Sequence, residues 1–273
     1  MTSPAPRRNR VCKRAVVRRT ERITPHMIRV VLGADEFVDN SFTDHYVKLL
    51  FGKPGVEYPE PLDMAAVRET FPAEQWPTMR TYTVRSWDEA VHELSIDFVY
   101  HGDEGVAGPW AAAAQPGDVL WFMGPGGAYA PDGAADWHLL VGDESALPAI
   151  SAAVEQLAPG TRATVLVEVE DRTEEQKLSG SADLDVTWFH RANGSRGDAL
   201  VAAVESLDFP SGNPHIFVHG EAGFVFRIRK NLFTERGVPR DRVSLSGYWR
   251  LGKNEDGWQA EKAETTRKER EAS

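Results

Sequence analysis

The amino-acid sequence predicts two domains of different class, an antiparallel β-barrel followed by an α/β domain built on a parallel sheet. Three observations carry this reading. Up to about residue 125 the chain offers six short stretches rich in Val, Ile, Tyr, Phe and Trp at near-alternating positions, which is how strands buried on one side read. From residue 137 the period changes, and fully apolar runs of strand length alternate with helix-like segments, as in parallel strands covered on both faces. Between the two regimes, GPGGAYAPDGAAD at residues 124–136 breaks either periodicity and can bury little. The expected organisation is a barrel over 1–130, an α/β domain over 131–257 and a charged helix or tail over 258–273, and 273 residues are enough for two cores.

The strands of the first half are expected at Arg14–Arg19, Met27–Leu32, His45–Phe51, Thr81–Trp87, Glu93–Tyr100 and Val119–Met123. Between the last two lies GVAGPWAAAAQPGD, where glycines and Pro109 precede an alanine run ending at Pro116 and Gly117, the punctuation of one short helix capping the barrel. In the second half the strands are expected at His138–Val141, Ala163–Val169, Val186–Phe189, Ile216–Val218 and Val243–Leu245, with helices such as Leu147–Leu157 and Ala199–Leu207 between them. After Trp258, QAEKAETTRKEREAS is charged and helix-forming with few apolar positions. No internal repeat is evident.

Composition excludes several classes. With 41% hydrophobic and 26% charged residues the chain is neither disordered nor collagen-like. Its longest apolar stretches, such as Ala199 to Val204, fall far short of the roughly 20 residues that cross a bilayer, and the start of the sequence does not support a secretory signal, so a cytoplasmic location is expected. A single cysteine, Cys12, cannot form an internal disulfide framework or hold a zinc or iron–sulfur centre, so no metal site is expected and redox chemistry would need an added cofactor. Residues 1–22 carry a net +7, which leaves −17 for the remainder against −10 for the whole chain. Such a body repels nucleic acid. The basic arm reads as a solvated strand edge, with transient contact to an anionic membrane face or an importer as the functional alternative.

No G-x-S-x-G elbow, G-x-x-x-x-G-K-[ST] loop, H-E-x-x-H or G-x-G-x-x-G is present, which removes most hydrolase and kinase readings. His215 and His219 are four apart, but HIFVH is strand-like and would separate the two side chains by about 13 Å, so a structural role is expected.

Three segments carry positive signals. In RTYTVR, Arg80–Arg85, strand alternation sends Arg80 and Tyr82 to one face and Thr81 and Thr83 to the other. A flavin dinucleotide asks for a cation for its diphosphate, an aromatic ring for its ring system and a small hydrogen-bonding group near N5; the same hexapeptide also reads as an ordinary edge strand. In DFVYHGDEGVAGPWAAA, residues 97–113, a strand delivers His101 and a glycine-bearing turn opens a helix whose free amides suit a diphosphate; a plain turn with a rim histidine is the alternative. In the α/β half, LLVGDESALPAI and HIFVHGEAGFVFRIRKNL each put a turn at the carboxyl end of a strand and then a helix, the second carrying Arg227, Arg229 and Lys230. Open parallel sheets bind nucleotides at such ends, while helix caps and solvated basic residues explain the same residues without a ligand.

Taken in order, HYVKLLF, RTYTVR, DFVYHG, GPW, GDESALPAI, GEAGFVF and SGYWRLGKNEDGW resemble the siderophore-interacting protein, or ferric-siderophore reductase, family of the ferredoxin reductase superfamily. The resemblance implies an FAD-binding antiparallel barrel followed by a nicotinamide-nucleotide-binding α/β domain. It implies that Arg80, Thr81, Tyr82 and Thr83 hold the diphosphate, the isoalloxazine face and the N5 edge, that Asp97, Val99 and His101 line the flavin site, and that Gly105, Ala107, Gly108 and Trp110 lie at the phosphate turn. Asp143, Glu144, Ser145 and Ala146, with Gly220, Glu221 and Ala222, match the motifs of the nucleotide domain, and Tyr248 and Trp249 either stack on the flavin or close the domain interface. The family often has Ser or Thr beside the phosphate turn; GVAGPWA has none, which shifts the work to backbone amides.

The implied activity is reduction of Fe(III) in a ferric siderophore to Fe(II), with electrons from NADH, NADPH or reduced ferredoxin passing through FAD. Thr83 at the flavin edge and two cations, Lys48 in HYVKLLF and Arg250 in YWRLGK, are the expected catalytic and substrate-holding residues, with Lys253 next. The competing readings are a flavin or ferredoxin reductase serving another acceptor, and a non-catalytic siderophore carrier.

Overall fold

The computed structural model describes residues 12–191, 196–253 and 257–258. It divides into two compact units with the divide between Gly127 and Ala128.

The first unit is a closed antiparallel barrel of β1 (Lys13–Thr24), β2 (Met27–Gly33), β3 (Tyr46–Phe51), β4 (Thr78–Asp88), β5 (Glu93–Val99) and β6 (Val119–Gly126), ordered β1-β2-β5-β4-β3-β6. Alternation dictates the core: Val30, Leu32, Val47, Leu49, Val84, Ile96, Phe98 and Phe122 all point inward and are buried. Each such side chain contributes about 1.5–3 kcal/mol of burial. The expected short helix is α2 (Ala107–Ala113), whose Ala107 and Ala111 close one end of this core. A further helix, α1 (Met64–Thr70), was not expected from periodicity. Asp63 caps it by accepting from the amide of Ala65, and Met64 and Val67 pack with Leu50 and Leu62 in a satellite core.

The second unit is a five-stranded parallel sheet of β7 (Trp137–Asp143), β8 (Arg162–Val169), β9 (Asp183–His190), β10 (Pro214–Glu221) and β11 (Val243–Trp249), ordered β11-β10-β7-β8-β9. Helices α3 (Leu147–Gln156), α4 (Asp198–Ser206) and α5 (Ala222–Lys230) cover it, α3 on one face and α4 and α5 on the other. All seven residues of β7 are buried, which is why its sequence shows no polar alternation. The chain runs from β7 outward through β8 and β9, then returns to place β10 on the opposite side of β7. That reversal is a topological switch point at the carboxyl ends of β7 and β10, where open α/β sheets take their ligands. No helix among the described residues is long and apolar enough to cross a membrane. The basic arm up to Val11 and the charged segment after Trp258 lie outside the described residues.

Candidate functional site

In the barrel, the ladder between β4 and β5 runs from Val84↔Ile96 to Asp88↔Glu93, whereas β4 pairs with β3 from Tyr46↔Thr83 to Phe51↔Thr78. Arg80–Thr83 and Asp97–Val99 therefore face each other beyond the end of their shared ladder. Sequence reasoning had assigned both stretches to a flavin. Leu49 stands opposite Arg80 and Val47 opposite Tyr82, so Arg80 and Tyr82 share the inward face. The Tyr82 ring packs on Phe98 at a centroid distance of 4.5 Å, and Phe98 in turn lies 5.7 Å from Trp110. Thr81 and Thr83 lie on the opposite face with Lys48 and Tyr46. Thr83 is buried and Lys48 is exposed.

Helix α2 closes on the same place. A Cβ on Gly108 would meet the Val99 carbonyl oxygen at 3.1 Å and the Tyr100 Cα at 3.6 Å, so only glycine lets the helix approach the end of β5 this closely. The turn between them bends through positive φ at Gly102 and Gly105, +76° and +81°, which glycine adopts without strain. No side chain caps the start of α2. His101 lies in this turn, its ring 6.4 Å from that of His26.

Asp97 is buried and not open to solvent. Arg29, directly opposite on β2, donates from Nε to Oδ1 at 2.6 Å and from Nη2 to Oδ2 at 2.8 Å. Sequence reasoning missed Arg29, because an arginine between Ile28 and Val30 reads as a solvated strand position until the register is known.

At the switch point of the α/β unit, Asp143 is the hub. Its Oδ2 accepts from the amide of Glu221 at 2.9 Å and from Trp249 Nε1 at 2.9 Å, while its Oδ1 accepts from the amide and hydroxyl of Ser145. Burial, and then the neighbouring charge of Glu144, push its carboxyl above the usual range. Glu221 turns its carboxylate onto the start of α5, accepting from Gly223 and Phe224, and also takes the amide of Leu251 at 3.3 Å. Glu144 is held by the buried guanidinium of Arg191, which also reaches Glu170 at 3.1 Å. Burial likewise raises the carboxyl of Glu168, against the amide of Gly197 that it accepts.

The structure thus gathers Asp143, Glu144, Ser145, Ala146, Gly220, Glu221, Ala222 and Trp249 at the carboxyl ends of β7, β10 and β11. The polar atoms of Asp143, Glu144, Glu221 and Trp249 bond to one another, to Arg191 or to local amides. Tyr248 hydrogen-bonds with His219 at 3.0 Å. Arg227, Arg229 and Lys230 sit in the last turn of α5, at the far end of a helix about 13 Å long, where they complement its dipole; Arg227 pairs with Asp198. Arg191 escaped sequence reasoning because its Glu144 partner is 47 positions away. Arg250 lies over the Trp258 ring at 6.0 Å, and the amide of Lys253 bonds back to its carbonyl.

A closed antiparallel barrel followed by a parallel α/β unit is a ferredoxin-reductase-like fold. The barrel residues fit FAD on their own chemistry: one cation, one half-buried ring, one hydroxyl and an uncapped helix start behind a glycine turn gather beyond the end of one ladder. Residues 16–129 match the siderophore-interacting FAD-binding domain, and residues 135–252 match the siderophore-interacting protein domain. The chain belongs to the siderophore-interacting protein family. It is 37% identical over 191 residues to the ferric vibriobactin reductase ViuB of Vibrio cholerae, covering 69% of this chain and 70% of that one. It is 32% identical over 239 residues to the NADPH-dependent ferric-chelate reductase of Escherichia coli, covering 85% and 91%. Among solved structures, the siderophore-interacting protein SipS of Aeromonas hydrophila superposes with a TM-score of 0.78 at 30% identity, covering 94% of this chain and 98% of that one.

Proposed function

We propose that the protein reduces Fe(III) in ferric siderophores to Fe(II) with electrons from NADH or NADPH through FAD, and so releases the iron. The observation that carries this reading is the meeting of Arg80–Thr83, Asp97–Val99 and the Gly105–Trp110 turn beyond the β4–β5 ladder, within a chain of this family. Ferric ion is held by hard anionic oxygen donors, and reduction to the larger, less charged ferrous ion loosens that grip. Bound FAD takes electrons as a pair and passes them on singly, chemistry that side chains do not offer.

The chain's residues take supporting roles. Arg80 and the amides after Gly105 hold the diphosphate, with Ala107, Gly108 and Trp110 shaping the turn. Tyr82 covers the ring, and the buried hydroxyl of Thr83 sits at its reactive edge. Asp97, Val99 and His101 line the remainder. Asp143, Glu144, Ser145, Ala146, Gly220, Glu221, Ala222, Tyr248 and Trp249 shape the nucleotide site. Lys48 is the first candidate cation for the anionic iron complex and Arg250 the next, and no general acid or base is required. Reduced ferredoxin is a second electron source, transient contact with a membrane importer the setting, and the cytoplasm the location.

The test is anaerobic. Protein loaded with FAD is mixed separately with NADH, NADPH and reduced ferredoxin while the flavin absorbance is followed. Bleaching by a nicotinamide nucleotide and recovery of colour on adding a ferric siderophore supports the reading. A protein without affinity for FAD contradicts it.

A further inference from the structure

A buried carboxylate at the mouth of a site for an anionic cofactor is a liability unless something neutralises it. Asp97 stands there. It follows Ile96, the last residue of β5 paired with β4, and precedes Phe98, whose ring touches Tyr82. Ile96 and Phe98 enter the barrel core, so Asp97 projects from the other face, as does Arg29 between the buried Ile28 and Val30. The Asp97 side chain is only 2% exposed. Both of its oxygens are engaged by the Arg29 guanidinium in a bidentate fork, the strongest geometry available to this pair.

We propose that Arg29 is a positioning residue of the flavin site. It acts through Asp97, holding that carboxylate as an internally neutral pair so that the opening accepts a dianionic dinucleotide. The inference rests on the placement of FAD in this opening. Removing the cation alone would leave a buried, uncompensated negative charge beside the cofactor, which is far worse than removing both partners. Lysine would keep the charge but lose the fork.

The test is a charge cycle read by FAD binding to the apoprotein, with thermal unfolding of each apoprotein measured alongside. Arg29→Gln should raise the FAD dissociation constant at least about tenfold, corresponding to about 1.4 kcal/mol. Adding Asp97→Asn to Arg29→Gln should recover most of that loss, because the buried charge then goes with its partner. Uncharged riboflavin should be much less sensitive to Arg29→Gln than FAD is. Failure of Asp97→Asn to restore FAD binding would overturn the proposal, because Arg29 would then act directly on the cofactor or only on the barrel. Equal losses for FAD and riboflavin would also overturn it. Arg80→Ala and Tyr82→Ala keep this separate from the underlying reading. If they leave FAD affinity intact, the placement of the flavin is wrong; if they weaken it while Arg29→Gln does not, only the role of Arg29 is wrong.

Discussion

Lys48 on β3 and Thr81 on β4 stand directly opposite each other, one cross-strand pair along the same face from Tyr46 and Thr83. An exposed cation is thereby fixed on the face that carries the hydroxyl assigned to the flavin edge. Its neighbour across the other ladder is Met123. Lys48→Ala should raise KM for an anionic ferric chelate about three- to tenfold, the scale of one exposed ionic contact, and leave FAD content unchanged. Steady-state kinetics with an anionic and a neutral chelate check this; an equal effect on both removes Lys48 from substrate binding.

Gly105 in the turn and Gly108 in α2 should behave differently. Gly108→Val places atoms against the carbonyl of Val99 and should cost about 1–3 kcal/mol while weakening FAD binding, because α2 must back away from β5. Gly105→Ala meets nothing within 4 Å, so its cost is the strain of a positive φ, about 1 kcal/mol, without a steric loss. Thermal unfolding and flavin titration of both variants distinguish the two causes.

Asp143→Asn replaces an acceptor by a donor inside a network whose partners are the amide of Glu221, the indole of Trp249 and the amide and hydroxyl of Ser145. At least one of these groups loses its acceptor, at about 1–3 kcal/mol. The expected result is slower flavin reduction by NADH or NADPH with normal FAD content, since Asp143 belongs to the α/β unit. Loss of flavin instead of donor reactivity would contradict that division of labour.

His138 supplies a pH dependence at the other end of the sheet. Burial, aided by the charge of His215, pushes its imidazole down to about 4, against the opposing charge of Asp132. The folded protein then binds fewer protons than the unfolded chain, so this contribution is complete above about pH 6.5 and is lost as the pH falls toward 4. Over that window the α/β unit should lose on the order of 3 kcal/mol from this group. Urea unfolding at pH 7 and pH 5, compared with His138→Gln, measures it; the same slope in both proteins would assign the loss to other groups.

Periodicity made both halves of the fold legible. Alternating runs marked the barrel strands, and apolar β7 and β8 marked a buried parallel sheet. Helix α1 was not legible because seven residues are too few for a period, although Asp63 before Met64 is a capping signal. The site was partly legible. Cofactor-facing residue types cluster locally, as in RTYTVR and the glycine turn, but Arg29 and Arg191 meet their carboxylates across 68 and 47 positions, and nothing in a local pattern announces a cross-strand or cross-sheet ion pair. Glu221 was read as a nucleotide contact, and its position just before Ala222 and Gly223 equally signals the helix cap it forms.

Electron bookkeeping tests the central claim most directly. FAD-loaded protein is supplied with a limiting amount of NADPH or NADH and excess ferric siderophore under anaerobic conditions, with a ferrous chelator present to trap the product. The account predicts two trapped ferrous ions for each nucleotide oxidised, and none when FAD is omitted. Nucleotide oxidation without trapped ferrous iron, or iron reduction that proceeds equally in the absence of flavin, would contradict it.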